Sequence, residues 1–331
     1  MNLPALHDPL LLLLAGMAID AVFGDMRAVF AWVPHPIVLA GRAIGFFERK
    51  LNRPQRGERQ RRERGIVTVL VLVGSAAGLG WIVHALCRGS LVGALVEALA
   101  IAILLAQRGL YDHVETVAAA LEQGGLAAGR QAVAHIVGRD PASLDRHGVA
   151  RAAIESLAEN FSDAVVAPAL WYLVAGLPGL FTYKMANTLD SMVGHRSERY
   201  RAFGWAAARF DDLMNAVPAP ASGLLLVGAA VFAGDGRAGR ALAVMLRDGR
   251  KHHSPNAGWP EVAMAGALRL ALAGPRHYAE GAVNDPWLGD GKARVEPADI
   301  RRALRLYSLA CLLLAGLVLG GWLAGHFRPL G

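Results

Sequence analysis

The chain has 331 residues, and its 34 lysines and arginines outnumber its 27 aspartates and glutamates to give a formal net charge of +7. Apolar side chains make up 54% of the residues and charged ones only 18%, whereas soluble domains usually carry about 25% charged residues. One water-facing globule cannot bury so many apolar side chains, so the composition predicts a membrane protein. The two cysteines, Cys87 and Cys311, exclude a disulfide framework and a cysteine-based zinc site.

Four apolar windows are long enough, or nearly so, to cross a hydrocarbon layer about 30 Å thick, which takes roughly 17 to 25 helical residues. They are residues 9–23, 66–86, 91–107 and 306–324. The first contains Asp20 and the third contains Glu97, and acidic residues within spans are costly unless they lie near an end or serve a function. No Lys or Arg precedes the first window, so it does not match a cleavable signal peptide.

Two further apolar windows, residues 164–183 and 217–233, contain prolines. Pro168 and Pro178 interrupt the first of them, and Pro218 and Pro220 open the second. Because proline removes a backbone donor and disrupts the helix around it, these windows are predicted to be broken, re-entrant or packed inside the bundle.

The strongest orientation signal is the basic run at residues 49–64, which reads RKLNRPQRGERQRRER. Basic residues concentrate on the cytoplasmic side of a membrane, so this run is predicted to be cytoplasmic and the N terminus to be outside. Such a run can also bind nucleic acid. Because the run adjoins the charge-free apolar window 66–86, it is better explained as a solvated loop that sets the membrane topology. No nucleic-acid partner is predicted.

Six simple spans would place residues 184–216 outside, although that stretch carries five basic residues. If both proline-containing windows enter and leave the membrane on its cytoplasmic face, residues 184–216 stay cytoplasmic. The prediction is therefore an all-α polytopic membrane bundle with four full spans, two broken or re-entrant segments and cytoplasmic helices, and six spans is the alternative. The predicted organisation is a single membrane-embedded domain, 1–331, which comprises a basic cytoplasmic loop at 25–65, cytoplasmic helical segments at 108–163 and 234–305, broken membrane helices with an acidic motif loop at 164–233, and a final span at 306–324.

Clustered carboxylates mark the helix that reads AAIESLAENFSDAVVAP. Glu155, Glu159 and Asp163 stand at i, i+4 and i+8, which places them within roughly 80° of arc on a regular helix. Like charges at this spacing weaken a helix, and carboxylates on one face suit a hard cation such as Mg²⁺. The alternative is a solvent-exposed cluster, or one that pairs with distant arginines.

Two more polar groups follow, each next to an apolar segment. Lys184, Asn187 and Asp190 lie at successive i+3 steps in YKMANTLDSMVGHR, which closes on His195 and Arg196. In AAARFDDLMN the same step relates Arg209, Asp212 and Asn215, with Asp211 beside them. Short polar side chains favour caps and turns over helix interiors. Helix capping alone does not explain three such groups, each next to an apolar segment. They predict a functional site.

The motifs that the sequence lacks narrow the ways in which the chain could bind a nucleotide. The chain has no G-x-x-x-x-G-K-[ST], G-x-G-x-x-G, H-E-x-x-H or G-x-S-x-G motif. A nucleotide would have to be held by a metal that bridges carboxylates and phosphates, with Lys184, Arg196 or Arg209 as counter-charges. His35 after Gly24-Asp25, and the stretch HHSPNAG at 252–258, could equally be structural, the first as a hydrogen-bonded core residue and the second as a helix cap.

The motifs RGLYDHV, IVGRDPASLD, AAIESLAENFSDAVVAP, YKMANTLDSMVGHR, AARFDDLMN and SPNAGWPEVAMAGAL occur in this order. Together they resemble the adenosylcobinamide-phosphate synthase family of cobalamin biosynthesis, known as CobD or CbiB, from about residue 20 to residue 278. The resemblance implies a multi-pass enzyme of the inner membrane with its active site facing the cytoplasm. It would join the carboxylate of adenosylcobyric acid, a corrinoid, to the amine of aminopropanol phosphate or a close amino alcohol, with ATP as co-substrate and Mg²⁺ as cofactor. Other late cobalamin-assembly enzymes are candidate partners.

The resemblance also implies site residues, because the family's acidic and amide positions fall on Glu155, Glu159, Asn160, Asp163, Asn187, Asp190, Asp211 and Asp212. The predicted catalytic residues are Glu155, Glu159 and Asp190. The predicted metal ligands are Glu155, Glu159, Asp163, Asp190 and Asp212. The residues predicted to bind ATP or the phosphates are Lys184, Arg196, Arg209, Asn187 and Asn160.

Two other functions remain open at this point. Asp20 and Glu97 in apolar windows could line the ion path of a membrane transporter. A metal-dependent membrane alcohol-phosphate transferase would also use clustered carboxylates at a membrane face, but the NTLDSMVG run lacks the further aspartates expected of that class.

Overall fold

The computed structural model describes residues 6–137, 140–195, 197–233, 237–278 and 281–326. The first helices in the chain are α1 (Pro9–Phe23), α2 (Arg27–Phe30), α3 (Pro36–Leu51), α4 (Glu58–Cys87), α5 (Leu91–Leu104), α6 (Gln107–Gln123), α7 (Gly125–Val133) and α8 (Arg146–Phe161). They are followed by α9 (Ala167–Val193), α10 (Trp205–Asn215), α11 (Pro218–Phe232), α12 (Arg237–Asp248), α13 (Gly258–Leu268) and α14 (Pro297–His326).

Three short turns and one hairpin complete the secondary structure. A π-helical turn at Ser162–Val166 joins α8 to α9, and 3₁₀ turns form at Pro141–Ser143 and Gly249–Lys251. Strands β1 (Leu272–Tyr278) and β2 (Gly281–Leu288) pair antiparallel, with an irregularity in register between Ala273 and Pro275. The sequence pattern did not predict this hairpin.

Four helical segments within the described residues are long and apolar enough to cross a membrane: Glu58–Cys87, Leu91–Gln123, Arg146–Val193 and Pro297–His326. Helices α10 and α11 pass the same test together as a pair bent by 43°, and α1 is a shorter apolar helix. Leu70, Trp81 and Leu312 leave 66 to 68% of their surface exposed, as side chains facing lipid do. The chain is a polytopic helical membrane protein, as the sequence predicts.

The first proline-containing window, residues 164–183, shows the expected break. In α9 the backbone leaves the helical region at Ala175 and Gly176, two residues before Pro178. Gly176 has φ +61° and ψ −150°, a conformation that only glycine adopts readily. The second window, residues 217–233, forms the unbroken helix α11, and the bend lies before it, between Asn215 and Pro218. The segment 25–65, predicted as a loop, holds α2, α3 and the first turns of α4.

Backbone contacts divide the chain, which the sequence pattern treats as one domain, into two compact units. The first unit comprises Met1–Leu105, Ala167–Asn215 and Gly321–Gly331. In it α1 packs along α5 and α9 packs along α4. A buried cluster made of Ile44, Val69, Leu72, Leu189, Val193, Phe203 and Ala207 holds α3, α4, α9 and α10 together. This packing places the second limb of α9, the part that follows Gly176, beside α10. The polar residues described below lie on these two segments.

The second unit comprises Ala106–Val166 and Ala216–Gly320. Val114, Val117 and Leu121, which recur at helical spacing in the sequence, are fully buried in its core. They pack with apolar residues of α8, α11, α13 and α14. The hairpin belongs to this unit, where Ala273 and Leu288 cluster with Val244 of α12 and Val262 of α13.

Candidate active site

The first unit gathers five polar residues that we call the acidic centre: Asn187 and Asp190 on α9, and Asp211, Asp212 and Asn215 on α10. The spacing of Asn187 and Asp190 sets both on one face of the second limb of α9. Residues 211 and 215 are one helical turn apart on α10. The sequence predicted each set separately, and the structure brings the two sets together.

Asp211 lies at the middle of the acidic centre and is only 7% exposed. Its Oδ2 accepts a hydrogen bond from Asn215 Nδ2 at 3.0 Å, and the Asn187 side chain also donates to its carboxylate. Tyr183 Oη donates to Asn215 Oδ1 at 3.1 Å, which fixes the orientation of that amide. The second oxygen of Asp211, Oδ1, is buried without a hydrogen-bond partner among the described residues.

Asp190 and Asp212 are two further carboxylates that interact electrostatically with Asp211. Asp190 experiences repulsion from Asp212 and attraction from His195, and Asp211 experiences repulsion from both of the other aspartates. The Asp190 carboxylate lies against Gly194, where a Cβ atom would overlap with its Oδ1. Glycine is therefore required at 194 for Asp190 to keep its place. Buried like charges raise the energy of the folded chain unless a cation or a proton joins them.

Basic residues surround this centre only partly. Arg209 is exposed, and its Nη1 lies 3.6 Å from Asp212 Oδ2. Lys184 precedes Asn187 by one turn on α9 and is half-buried. Arg196 lies outside the described residues, so its predicted role has no structural description. The hydroxyls of Thr188 and Ser191 donate back to backbone carbonyls one turn earlier, which makes them helix-stabilising groups.

His35 is a hydrogen-bonded core residue. Its Nδ1 accepts from the Ile37 N–H at 3.2 Å at the start of α3, and its ring also bonds the backbone of Ile103. Burial lowers the pKa of His35, the positive charge of Lys184 lowers it further, and Asp25 opposes the shift. These contacts support a structural role for His35, as a hydrogen-bonded core residue.

The acidic residues of α8 lie in the second unit, in three different environments. Glu155 is 5% exposed, and its Oε1 accepts a hydrogen bond from the Ala273 N–H at 2.7 Å, which ties α8 to the hairpin. Glu159 is exposed, and Asp163 is half-buried. Asp163 belongs to the π-helical turn, so the regular 100° step behind the predicted 80° arc does not continue past residue 161.

Asn160 makes local contacts at the end of α8. Its Nδ2 donates to the Ser156 carbonyl at 2.9 Å, and Ser156 Oγ donates to the Ile136 carbonyl at 2.8 Å. Ser162 Oγ, in the π-helical turn, is buried without a hydrogen-bond partner in the part of the chain that the structure describes. Wide turns of this kind are frequent at functional sites.

The fit of the acidic centre to Mg²⁺ depends on its donor atoms. Within the described ranges, no group of three His, Cys, Asp or Glu side chains is arranged as a metal site. Proteins commonly hold Mg²⁺ through one or two carboxylates, with substrate phosphates and water supplying the other ligands. One or two of the aspartates of the acidic centre, among them Asp211 with a buried oxygen that has no partner in the described residues, would match that donor set.

Sequence reasoning did not single out Asp248, which lies next to the hairpin. Asp248, 2% exposed, accepts from Arg247, from Lys251 Nζ at 2.7 Å and from the Gly289 N–H at 3.1 Å. These hydrogen bonds, that of Arg247 first, hold the pKa of Asp248 well below its usual range. Nearby, His252 Nε2 lies 3.7 Å from Glu261 Oε2, with both side chains buried. In the sequence, the two adjacent histidines before SPNAGWPE are the feature that indicates this polar region.

Comparison with known proteins identifies the family. The family model described as CobD/Cbib protein matches residues 13–307. The chain belongs to this family. A relative from Sinorhizobium sp. named cobalamin biosynthesis protein CobD is 52% identical over 94% of this chain and 97% of its own length. Relatives of the same name from Brucella suis and Rhodobacter capsulatus are 48% and 46% identical, over 96% and 94% of this chain and 98% of each relative. No solved structure matches the chain significantly.

Family membership confirms the resemblance that the motifs indicated. The acidic centre and the acidic residues of α8 all fall within the matched residues. The family is therefore one whose named relatives serve cobalamin biosynthesis, and the chemistry of this chain has to be argued from its own side chains.

Proposed function

We propose that this chain is the enzyme of cobalamin biosynthesis that joins the free carboxylate of adenosylcobyric acid to the amine of aminopropanol phosphate, or of a closely related amino alcohol, at the expense of ATP. The observation that carries the proposal is the acidic centre, where three aspartates converge and one buried carboxylate oxygen has no hydrogen-bond partner among the described residues. The names of the relatives support the pathway.

The reaction needs an activated acyl group, because a carboxylate is anionic and its oxygen is a poor leaving group. One carboxylate oxygen of the corrinoid would attack the γ-phosphorus of ATP, with ADP leaving, to form an acyl phosphate. The amine would then attack the acyl carbon and expel phosphate. The attacking ammonium has to lose a proton first, and a carboxylate of the acidic centre is the candidate acceptor.

The acidic centre is suited to a polyphosphate. One or two of Asp190, Asp211 and Asp212 would hold Mg²⁺, which when bound neutralises phosphate charge during phosphoryl transfer. Asn187 and Asn215 orient the Asp211 carboxylate through their amides. Lys184 and Arg209 would pair with phosphate oxygens, and the same role is proposed for Arg196.

The residues of α8 have separate proposed roles. Glu159 is exposed and remains a candidate ligand or proton acceptor, as does Asp163 in the π-helical turn. Asn160 remains a candidate substrate contact. Glu155 already accepts a backbone hydrogen bond from Ala273, and we expect its main role to be structural. The basic run at 49–64 supports an inner-membrane enzyme with this chemistry on the cytoplasmic side.

Purified protein in detergent tests the proposal. Incubation with adenosylcobyric acid, aminopropanol phosphate and ATP-Mg²⁺ should yield adenosylcobinamide phosphate and one ADP per amide, measured by liquid chromatography with mass detection. A transporter would form neither product. An alcohol-phosphate transferase would not depend on a carboxylate acceptor.

Substitutions locate the chemistry. Asp190→Asn or Glu159→Gln should lower turnover at least 100-fold, as loss of a charge-stabilising group does, while expression and membrane insertion stay normal. The matched control is Glu198→Gln, which removes an exposed acid outside the acidic centre. Near-normal turnover in Asp190→Asn would refute the assignment of this centre.

A further inference from the structure

Helix α3 has one side that faces away from the first unit. The inward side buries Ile44 and Glu48. The residues of the outward side are all exposed, and we call them, together with Arg53 beyond the helix end, the boundary face: Val38, Leu39, Arg42, Phe46, Arg49, Lys50 and Arg53. Its apolar members lie mainly in the first two-thirds of the helix, and its cations concentrate at the C-terminal end.

Contacts with α4 show where the boundary face lies relative to the membrane. Ile44, in the middle of α3, packs with Val69 and Leu72, which belong to the apolar run of α4. At the end of α3, Asn52 Oδ1 accepts from Arg61 Nε at 2.8 Å, in the basic first turns of α4. The boundary face therefore passes from the level of the hydrocarbon to the level of the lipid headgroups.

In the part of the chain that the structure describes, the cations at the C-terminal end of the boundary face have no acidic partner. Neighbouring basic residues do have partners, since Arg59 pairs with Glu63 and Arg199 with Glu48. Over residues 6–137, 140–195 and the later described ranges, no hydrogen bond or ion pair engages the side chain of Arg49, Lys50 or Arg53. Half-exposed Val38, Leu39 and Phe46 lie below them on the same side.

We propose that the boundary face binds an anionic phospholipid of the membrane leaflet that adjoins the basic run. The acyl chains lie along Val38, Leu39 and Phe46, and the headgroup phosphate contacts Arg49, Lys50 and Arg53. Cations just beyond a span attract anionic lipids, and apolar side chains at the same depth contact their chains. Arg42, between the two sets, is long enough to reach the headgroup level.

Lipid titration tests the charged part of the boundary face. Delipidated protein in detergent is titrated with phosphatidylglycerol and, separately, with phosphatidylcholine, and bound lipid is counted by native mass spectrometry. Arg49→Gln/Lys50→Gln should weaken phosphatidylglycerol binding roughly thirtyfold, from the usual contribution of two juxtamembrane cations. Phosphatidylcholine binding should be equal in both proteins.

The matched control is Arg250→Gln/Arg294→Gln, which removes the same charge from two exposed cations of the second unit. It should bind phosphatidylglycerol as the unsubstituted chain does. Equal binding in Arg49→Gln/Lys50→Gln would overturn the proposal. So would displacement of the lipid by micromolar ATP or inorganic phosphate, because the cations would then serve a soluble anion.

Spin labels test the apolar part. Labels at Val38→Cys and Phe46→Cys, in lipid nanodiscs and in a background without Cys87 and Cys311, should be relaxed by oxygen and shielded from a water-soluble nickel chelate. A label at Glu198→Cys, which is exposed outside the boundary face, should show the reverse. Equal nickel access at all three positions would contradict contact with acyl chains.

Discussion

Asp211 and Asp299 are both buried, but their electrostatic surroundings are opposite. Asp299 accepts from Lys292 Nζ at 2.6 Å, from Arg302 Nη1 at 2.8 Å and from the Glu296 N–H, so its charge is fully compensated. Asp211 has two amides as donors and two further aspartates as neighbours. A buried carboxylate that has acidic neighbours and no cationic partner among the described residues is typical of a residue retained for function.

Asp211→Asn should therefore raise stability and abolish activity together. Removing the like-charge repulsion is expected to increase the free energy of unfolding by about 1 kcal/mol, the usual gain when a functional compromise is relieved. The control Asp299→Asn should lower the free energy of unfolding by about 2 kcal/mol, because the charged hydrogen bonds to a buried carboxylate are lost. Apparent melting temperatures in detergent, beside amide-forming turnover, check both. A destabilised Asp211→Asn would mean that the carboxylate is structural.

Asp248 predicts a pH dependence of stability in the second unit. Its hydrogen bonds hold the pKa below the ordinary value of about 3.9, so its stabilisation is complete above that pH and declines as the pH falls toward the folded-state pKa. Asp248→Asn should lower the free energy of unfolding by roughly 2 kcal/mol at pH 7. The difference in melting temperature from the unsubstituted chain should shrink between pH 5 and pH 3. A constant difference over that range would contradict a role for the charge.

At the scale of single elements, the break in α9 divides one apolar helix into two limbs with different tasks. The first limb carries Tyr172, whose Oη donates to the buried Glu97 of α5 at 3.0 Å, and His84 of α4 contacts the same carboxylate oxygen. The second limb carries Asn187 and Asp190 of the acidic centre. The backbone conformation at the break therefore sets the direction in which Asn187 and Asp190 point.

Gly176→Ala should weaken both the fold and the activity. Its φ of +61° with ψ of −150° is a region that side-chain-bearing residues avoid, at a cost of about 2 kcal/mol. Relief of that strain by rotation of the second limb would displace Asp190, so turnover should fall more than tenfold in protein that still folds. Gly74→Ala is the control, because a Cβ there meets no atom within 4 Å and alanine favours the helix. Unchanged turnover in Gly176→Ala would show that the break does not position the site.

At the scale of the whole molecule, sequence periodicity predicts helices well because each helix is set by nearby residues. Val114, Val117 and Leu121 repeat at helical spacing and are buried as that spacing predicts. The environment of Glu155 could not be predicted, because its hydrogen-bond partner is 118 residues away in the chain. The π-helical turn and the hairpin were also missed, since neither has a periodic signature.

The sequence identified the residues of the acidic motifs but not how they are arranged in space. Spacing identified Asn187, Asp190 and Asp212 as polar residues on helices next to apolar segments. The convergence of α9 and α10 depends on tertiary packing around Leu189 and Phe203, which no local pattern encodes. The predicted roles of the α8 residues remain predictions.

Membrane orientation gives a prediction for the entire chain. Basic residues are retained on the cytoplasmic side, and residues 49–64 carry eight of them, whereas the connection between α4 and α5 carries only Arg88. In a background without Cys87 and Cys311, a membrane-impermeant maleimide should label Arg88→Cys in intact spheroplasts. It should label Arg59→Cys only after the membrane is opened, and the 93% exposure of the Arg59 side chain makes this position a sensitive reporter. Labelling of Arg59→Cys from outside would invert the orientation and place the start of α4 on the face away from cytoplasmic ATP.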